Sequence, residues 1–213
     1  MKYSTYIFDL DGTLLDTLLD LANAVNFAMR AKGYPERTTR EVRSFIGNGI
    51  KVLIKRAVPD GTSEKDYAEA LEIFTKYYLE HISDNTKPYD GMIDVVKTLK
   101  SNNCKVAVLS NKAHFAAQAV VSDFFGDIFD IVVGKMDEFP SKPEPDSLFY
   151  TMKTLGVRAE DCVYIGDSDV DVLTAHNAGL PCIGVTWGNR DEDILVSSGA
   201  EYIANTPKEI LDI

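Results

Sequence analysis

Two carboxylates lie two residues apart near the start of the chain, in the stretch Asp9-Leu10-Asp11-Gly12-Thr13. They follow the aromatic and β-branched run 3–8, which predicts a short buried strand. Side chains alternate along an extended chain, so Asp9 and Asp11 can face the same side before Asp11-Gly12 turns the chain. Such a pair can serve as nucleophile and proton carrier, or can hold a divalent cation. An acidic turn after an edge strand is the alternative.

Three later stretches also carry polar groups just after apolar runs. Ser110-Asn111 offers a hydroxyl and backbone N–H groups at a strand-to-helix turn, which can hold an anion. Lys142 lies in a loop stiffened by prolines and can neutralise a phosphate or a carboxylate. Asp167 and Asp171 share the first turn of a predicted helix. Each stretch also has an ordinary structural interpretation. Ser110-Asn111 could be a helix cap, Lys142 a surface lysine, and Asp167 with Asp171 an acidic helix N-terminus.

The segment 16–83 is predicted to be entirely helical. Its apolar residues recur at helical spacing, and Thr38 to Glu41 fits a capping box. Gly33 and the break at Phe45-Ile46-Gly47-Asn48-Gly49 separate the helices. The four helices are predicted to run from Asp16 or Thr17 to about 32, from 38 to 45, from about 50 to 58 and from 63 to about 82.

Beyond residue 83, short apolar strands alternate with helices, which implies right-handed crossovers and a mainly parallel sheet. The predicted strands cover 105–109, 129–133, 162–165, 181–185 and 202–204, and the predicted helices cover 91–99, 113–124, 146–155, 170–178 and 191–197. The opening strand belongs to the same sheet, so the helical segment is an insertion. We therefore predict an α/β fold, a Rossmann-like doubly wound core over 1–15 and 84–213, with an all-helical domain over 16–83.

Residues that follow neighbouring parallel strands meet along one edge of a sheet. Asp9, Asp11, Asp167 and Asp171 would then crowd together, and two carboxylates about 4 Å apart repel by roughly 4 kcal/mol at an effective dielectric near 20. A cation relieves this repulsion. Oxygen ligands beside a phosphate suit Mg²⁺, and the lack of nearby His or Cys argues against zinc.

Composition narrows the classes of partner. The 213 residues carry a net charge of −11, which disfavours a nucleic-acid surface, and an anionic substrate would need local cations. No apolar run approaches a membrane span, and no signal-peptide core begins the chain. The widely spaced Cys104, Cys162 and Cys182 fit buried thiols in a reducing cytoplasm. We expect a cytoplasmic protein, monomeric or homodimeric.

The four chemical stretches together resemble the haloacid dehalogenase superfamily. DLDGT at 9–13, Ser110-Asn111, Lys142 in SKPEP and GDSDVD at 166–171 match that family's four motifs in order. The inserted helices look like its helical cap. The segments 45–49 and Val185-Thr186-Trp187-Gly188 further resemble the phosphoglycolate phosphatase branch.

The resemblance implies a role for each motif residue. Asp9 would be the nucleophile that forms an aspartyl-phosphate, and Asp11 would protonate the leaving alkoxide and then activate water. Ser110 and the Asn111 backbone would bind the phosphoryl oxygens. Lys142 would offset charge on Asp9 and on the phosphate.

The resemblance also implies a Mg²⁺ site and a substrate-selecting cap. Asp9, Asp167 and the Asp11 carbonyl would bind Mg²⁺, with Asp171 supporting the metal shell. Gly47 and Asn48 are candidate substrate-binding residues, because the glycines at 47 and 49 let backbone approach a ligand closely; a plain helix break is the alternative. Four cationic residues of the cap could bind a second anionic group of the substrate, or could be solvated surface charges: Arg43, Lys51, Lys55 and Arg56. Trp187 is expected to serve packing.

The expected function is a Mg²⁺-dependent phosphatase for a small phosphomonoester, with 2-phosphoglycolate the leading substrate. Within the family, the alternatives are a β-phosphoglucomutase-like phosphotransferase, a pyrophosphatase, another sugar-phosphate or nucleotide phosphatase, and a phosphonate-cleaving enzyme using Lys51 or Lys55. A receiver-like module that signals through phospho-Asp is the alternative from another class, and an inactive regulator is a third.

Overall fold

The computed structural model describes residues 1–213, and its contacts divide the chain into two compact units. One is an α/β unit of Met1–Asp16 with Pro88–Ile213, and the other is a helical unit of Thr17–Lys87. The sequence placed the corresponding boundaries at 16 and 83.

The α/β unit is built on a six-stranded parallel sheet. Its strands are β1 (Thr5–Phe8), β4 (Lys105–Ala113), β5 (Ile131–Lys135), β6 (Cys162–Gly166), β7 (Cys182–Val185) and β8 (Tyr202–Ala204). Their order across the sheet is β5-β4-β1-β6-β7-β8. The central strand β1 is buried along its whole length, as expected where helices cover both faces of a parallel sheet. The predicted α/β fold class is confirmed.

Helices connect these strands. They are α5 (Met92–Ser101), α6 (His114–Phe125), α7 (Asp146–Leu155), α8 (Asp169–Asn177) and α9 (Glu192–Ser197), with 3₁₀ turns at Ala159–Asp161 and Pro207–Asp212. The sequence did not predict these turns, nor the two-residue strands β2 (Leu15–Asp16) and β3 (Lys87–Pro88), which form a separate small sheet. None of the helices has the length and apolar character needed to span a membrane.

The helical unit contains α1 (Leu18–Ala31), α2 (Thr39–Phe45), α3 (Gly49–Ala57) and α4 (Glu64–Glu80). Its core is a continuous apolar cluster in which Val25, Ile54 and Phe74 are fully buried. Thr38 and Glu41 form the predicted capping box of α2, and the Ser63 side chain caps α4. Local capping and apolar periodicity therefore define this unit.

A buried aspartate joins the first and last segments of the helical unit. The Asp20 carboxylate, in the first turn of α1, accepts hydrogen bonds from the backbone N–H groups of Asn85 and Thr86 at 2.8 to 3.0 Å. The Asn85 amide and the Thr86 hydroxyl also donate to it at 2.8 and 2.7 Å. Asp20 thus satisfies the backbone N–H groups of Asn85 and Thr86, which lie outside the helices and strands.

One local prediction is corrected by the sheet. Ser110-Asn111 is not a strand-to-helix turn or a helix cap, because β4 continues through Ala113 and α6 begins only at His114. Leu109 pairs with Val133 and Ala113 with Lys135, so β4 is bulged between these pairs. A bulge re-aims side chains at the end of a strand. The neighbouring strand β5 correspondingly lies about two residues later than predicted.

Candidate active site

The site lies at the carboxyl ends of the central strands, where open α/β sheets bind ligands. Asp9 directly follows β1, and its N–H donates to the Ile165 carbonyl of β6 at 2.8 Å. The chain then turns, with the N–H groups of Leu14 and Leu15 both donating to the Leu10 carbonyl at 3.0 Å. This turn holds Asp11 beside Asp9 in the loop after β1.

Lys142 is bonded to the candidate nucleophile. Its ammonium donates to Asp9 Oδ1 and to Asp171 Oδ1, each at 2.7 Å, and its side chain is 3 % exposed. Tyr164 Oη lies 3.0 Å from the same ammonium and donates to the Leu109 carbonyl. The Leu109 carbonyl oxygen lies 3.4 Å from the same ammonium. Lys142 is therefore held against the Asp9 carboxylate by buried oxygens on several sides.

Asp171 is held from two sides. Oδ1 accepts from Lys142, and Oδ2 accepts from the Ser168 hydroxyl at 2.6 Å and the Ser168 N–H at 3.1 Å. The carboxylate therefore fixes the start of α8 and the position of Lys142 together.

Asn111 contributes its side chain, which the sequence did not predict. Its Oδ1 accepts from the Lys142 N–H at 2.9 Å, and its Nδ2 donates to the Lys142 carbonyl at 3.2 Å. These paired bonds hold the backbone that carries the ammonium. Ser110 is buried, and its Oγ accepts from the Lys112 N–H at 3.2 Å.

A second buried lysine contacts the second aspartate. Lys112 Nζ lies 3.0 Å from Asp11 Oδ1 and 3.3 Å from Oδ2, and its side chain is 4 % exposed. The two aspartates are therefore distinguished by their cations, since Lys142 holds Asp9 and Lys112 holds Asp11. The sequence singled out Ser110-Asn111 but not the lysine that follows.

Burial dominates the electrostatics of the site. It raises the pKa of Asp9 well above its usual range; Lys142 opposes this, and the Asp171 and Asp167 carboxylates reinforce it. Burial and Asp171 raise the pKa of Asp167 to about 7, against hydrogen bonds from Asn189 that lower it. Burial lowers the pKa of Lys142, but Asp171 and Asp9 outweigh it, so that pKa is raised and the lysine stays charged.

The acidic residues fit a divalent cation. Asp9, Asp167 and Asp171 are all buried, and each can place a carboxylate oxygen within 4.8 Å of the others' oxygens. When ionised, three carboxylates beside one lysine leave an excess of two negative charges, which a dication would neutralise. The raised pKa values of Asp9 and Asp167 are what carboxylates lacking that charge would show. All the donors are oxygens, as Mg²⁺ prefers.

The candidate substrate-contacting residues of the predicted cap lie in the helical unit. Gly47 and Gly49 have φ angles of 115° and 79°, which glycine adopts without strain, and Asn48 is the residue before α3. Arg56 donates to the Phe45 carbonyl at 3.0 Å and so ties α3 to the segment before Gly47. Lys55 pairs with Glu64 at 3.1 Å, whereas Lys51 is exposed and Arg43 is half-buried.

The haloacid dehalogenase-like hydrolase family model matches residues 6–185, which span all four motifs. The chain belongs to the haloacid dehalogenase-like hydrolases. Phosphoglycolate phosphatase 1 of Pseudomonas aeruginosa is 37 % identical over 212 residues, covering 96 % of this chain and 77 % of that protein. Phosphoglycolate phosphatase of Colwellia psychrerythraea is 34 % identical, covering 96 % and 94 %.

Solved structures agree with this assignment to the haloacid dehalogenase-like hydrolases. A predicted phosphoglycolate phosphatase from Haemophilus somnus superposes with a TM-score of 0.93 at 27 % identity, covering 100 % of this chain and 98 % of that one. A protein from Lactobacillus delbrueckii subsp. bulgaricus gives 0.94 at 34 % identity, covering 99 % and 97 %. This hydrolase is therefore an enzyme of the phosphoglycolate phosphatase-like branch.

Proposed function

We propose that this hydrolase is a Mg²⁺-dependent phosphatase that cleaves a small phosphomonoester through an aspartyl-phosphate, with 2-phosphoglycolate as the leading substrate. The observation that carries the proposal is the pairing of Asp9 with Lys142 and of Asp11 with Lys112 at one end of the sheet. In the proposed mechanism, Asp9 attacks the phosphorus and Asp11 transfers the protons. The names of the relatives support the choice of substrate.

In the first step, Asp9 Oδ2 attacks phosphorus while Lys142 holds Oδ1. The ester P–O bond breaks, and the protonated Asp11 carboxyl gives its proton to the leaving alkoxide. Ser110 Oγ and the Asn111 N–H would hold the phosphoryl oxygens. These donors stabilise charge as it develops.

In the second step, Asp11 accepts a proton from a water that attacks the phosphorus of the aspartyl-phosphate. The bond between phosphorus and Asp9 Oδ2 breaks, which releases inorganic phosphate and restores the carboxylate. Asp11 is protonated again, as the first step requires.

Asp9, Asp167 and the Asp11 carbonyl would hold the Mg²⁺. When bound, the ion supplies positive charge that offsets repulsion between the anionic nucleophile and the phosphate. Asp171 is committed to Lys142 and Ser168, so we assign it to support of this site rather than to direct binding.

We assign the helical unit the role of a cap that excludes water and selects the substrate. Gly47 and Asn48 remain the candidates for substrate contact, with Arg43 and Lys51 as candidates for a second anionic group. The reducing cytoplasm is the proposed location, which is supported by three buried free cysteines.

The test is phosphate release from 2-phosphoglycolate, sugar phosphates, pyrophosphate and nucleoside monophosphates, measured as kcat/KM with Mg²⁺ and with EDTA. We expect Mg²⁺-dependent release with the highest kcat/KM for 2-phosphoglycolate. Equal rates in EDTA would contradict the metal, and a higher kcat/KM for another phosphate would contradict the substrate. An Asp9→Asn preparation in parallel controls for contaminating phosphatases.

A further inference from the structure

The segment after β7 packs against the site, although none of the four motifs includes it. Trp187 Nε1 donates to the Thr13 carbonyl at 3.1 Å. The Asn189 N–H donates to Asp167 Oδ2 at 2.6 Å, and its Nδ2 donates to the same oxygen at 2.9 Å. Nδ2 also lies 3.4 Å from the Asp11 carbonyl oxygen. Residues 187–189 therefore touch the loop after β1 and the aspartate after β6.

Two glycines allow this close approach. A Cβ on Gly12 would lie 2.2 Å from Asn189 Nδ2 and 2.3 Å from Asp167 Oδ2. A Cβ on Gly188 would lie 2.3 Å from Asp167 Cβ and 2.4 Å from the Gly12 carbonyl oxygen. No other residue type fits at either position without moving the site. The contact of segment 187–189 with Asp167 is thus built into the backbone.

Both Asn189 donors go to one oxygen of Asp167. Carboxylate Oδ2 receives two N–H groups, whereas Oδ1 has only a longer contact of 3.3 Å with the Thr13 hydroxyl. This asymmetry fixes the rotation of the Asp167 carboxylate. Groups that orient a metal ligand in this way typically contribute 10- to 100-fold to metal affinity.

We propose that Asn189 is a positioning residue of the metal site, holding Asp167 Oδ2 so that the carboxylate keeps the orientation in which it would bind a cation together with Asp9 and the Asp11 carbonyl. The proposal rests on the divalent-cation site of the proposed function. It adds the segment 187–189 to the four motif stretches as a fifth part of the site.

The test is the Mg²⁺ affinity of Asn189→Ala and Asn189→Leu, measured calorimetrically on metal-stripped full-length protein. The single tryptophan, Trp187, lies in the same segment, so its fluorescence gives a second readout. We expect Kd to rise by about 10- to 100-fold in both variants. At saturating Mg²⁺, kcat should return to near the wild-type value, because Asn189 acts only through Asp167.

The Leu variant keeps most of the side-chain volume, so it separates lost hydrogen bonding from a collapsed loop. Asn205→Ala is the matched control, since Asn205 is exposed in the next loop and accepts only from the Thr186 hydroxyl among side chains. Its Mg²⁺ affinity should equal that of wild type. A merely structural Asn189 would lower Tm equally with and without Mg²⁺ and leave Kd unchanged.

Unchanged or tighter Mg²⁺ binding in both Asn189 variants would overturn the inference. If Asp167→Asn then still abolished Mg²⁺ binding, the proposed metal site would stand without Asn189. If wild-type protein bound no Mg²⁺ at all, the metal of the proposed function and this inference would fall together.

Discussion

At the scale of single residues, the site separates two neighbouring aspartates by giving each its own buried lysine. Lys142 bonds one oxygen of Asp9, and Lys112 contacts both oxygens of Asp11. Lys142 opposes the rise that burial gives to the pKa of Asp9 and so favours the anionic nucleophile, while Lys112 holds Asp11 in one orientation for proton transfer. The four residues make separate predictions.

Asp9→Asn should abolish turnover, because the amide cannot form the aspartyl-phosphate. Loss of a nucleophile typically costs about 10⁴-fold or more in kcat. The fold should be retained, since the change removes one buried charge and keeps the shape. Phosphate release with matched circular dichroism and thermal melting would check both, and turnover near the wild-type rate would refute the assignment.

Lys112→Met should slow the cleavage of alkyl phosphates by about 10- to 100-fold, because Asp11 loses the contact that holds it in position to protonate the leaving group. This loss is a part of the 10²–10⁴-fold that general acid catalysis typically contributes. The aryl ester p-nitrophenyl phosphate should be affected much less, because its leaving group needs little protonation. Single-turnover release of each alcohol measures the first step. Lys97→Met, at an exposed position of α5, is the control. Equal slowing of both esters would indicate a structural role for Lys112.

At the scale of elements, the loops and bulges at the carboxyl end of the sheet bring the groups together. The β4 bulge contains Ser110, Asn111 and Lys112, and the Asn111 side chain fixes the loop that carries Lys142. In the helical unit, the Asp20 carboxylate fixes the segment after α4 by accepting hydrogen bonds from the N–H groups of Asn85 and Thr86.

Asp20→Ala should destabilise the helical unit by about 3 kcal/mol or more, because it leaves two N–H groups without their charged acceptor. Thr86→Val is the graded control, since it removes only the hydroxyl bond and should cost about 1 kcal/mol. Urea unfolding would give the free energies, and hydrogen exchange at Asn85 and Thr86 would localise the effect. Equal costs for the two variants would contradict a central role for Asp20.

At the scale of the whole molecule, the buried acids make the stability of the metal-free protein depend on pH. A carboxyl whose pKa is raised by folding binds its proton more tightly in the folded state. Its contribution therefore favours folding at low pH and is lost as the pH rises through the folded-state value. For Asp167 this window runs from about 3.9, the unfolded value, to about 7.

In EDTA, wild type should lose stability relative to Asp167→Asn as the pH rises from about 5.5 to about 8, by about 2 kcal/mol, because the change levels off above the folded-state pKa. Added Mg²⁺ should stabilise wild type more at the higher pH, since its ligands must be ionised. Thermal melting of both proteins across pH, with and without Mg²⁺, measures these differences. A difference in stability that did not vary with pH would contradict the raised pKa of Asp167.

The sequence by itself determined the parallel α/β core, because apolar runs ending in polar residues are local patterns that report buried strands and their ends. The helices between 16 and 83 were visible for the same reason, through apolar periodicity and caps. The predicted ends of some strands were wrong by a few residues, because bulges and strand ends depend on the neighbouring strand, as at Ser110-Asn111.

Only the tertiary structure decided which partners surround each motif residue. Lys112, Tyr164 and Asn189 carry no local signal, because a lysine, a tyrosine or an asparagine beside a strand is ordinary in sequence. They act through contacts with Asp11, Lys142 and Asp167, residues far away along the chain. Such contacts form only when the strands lie side by side in the folded sheet, so they could not be predicted from any single segment of the sequence.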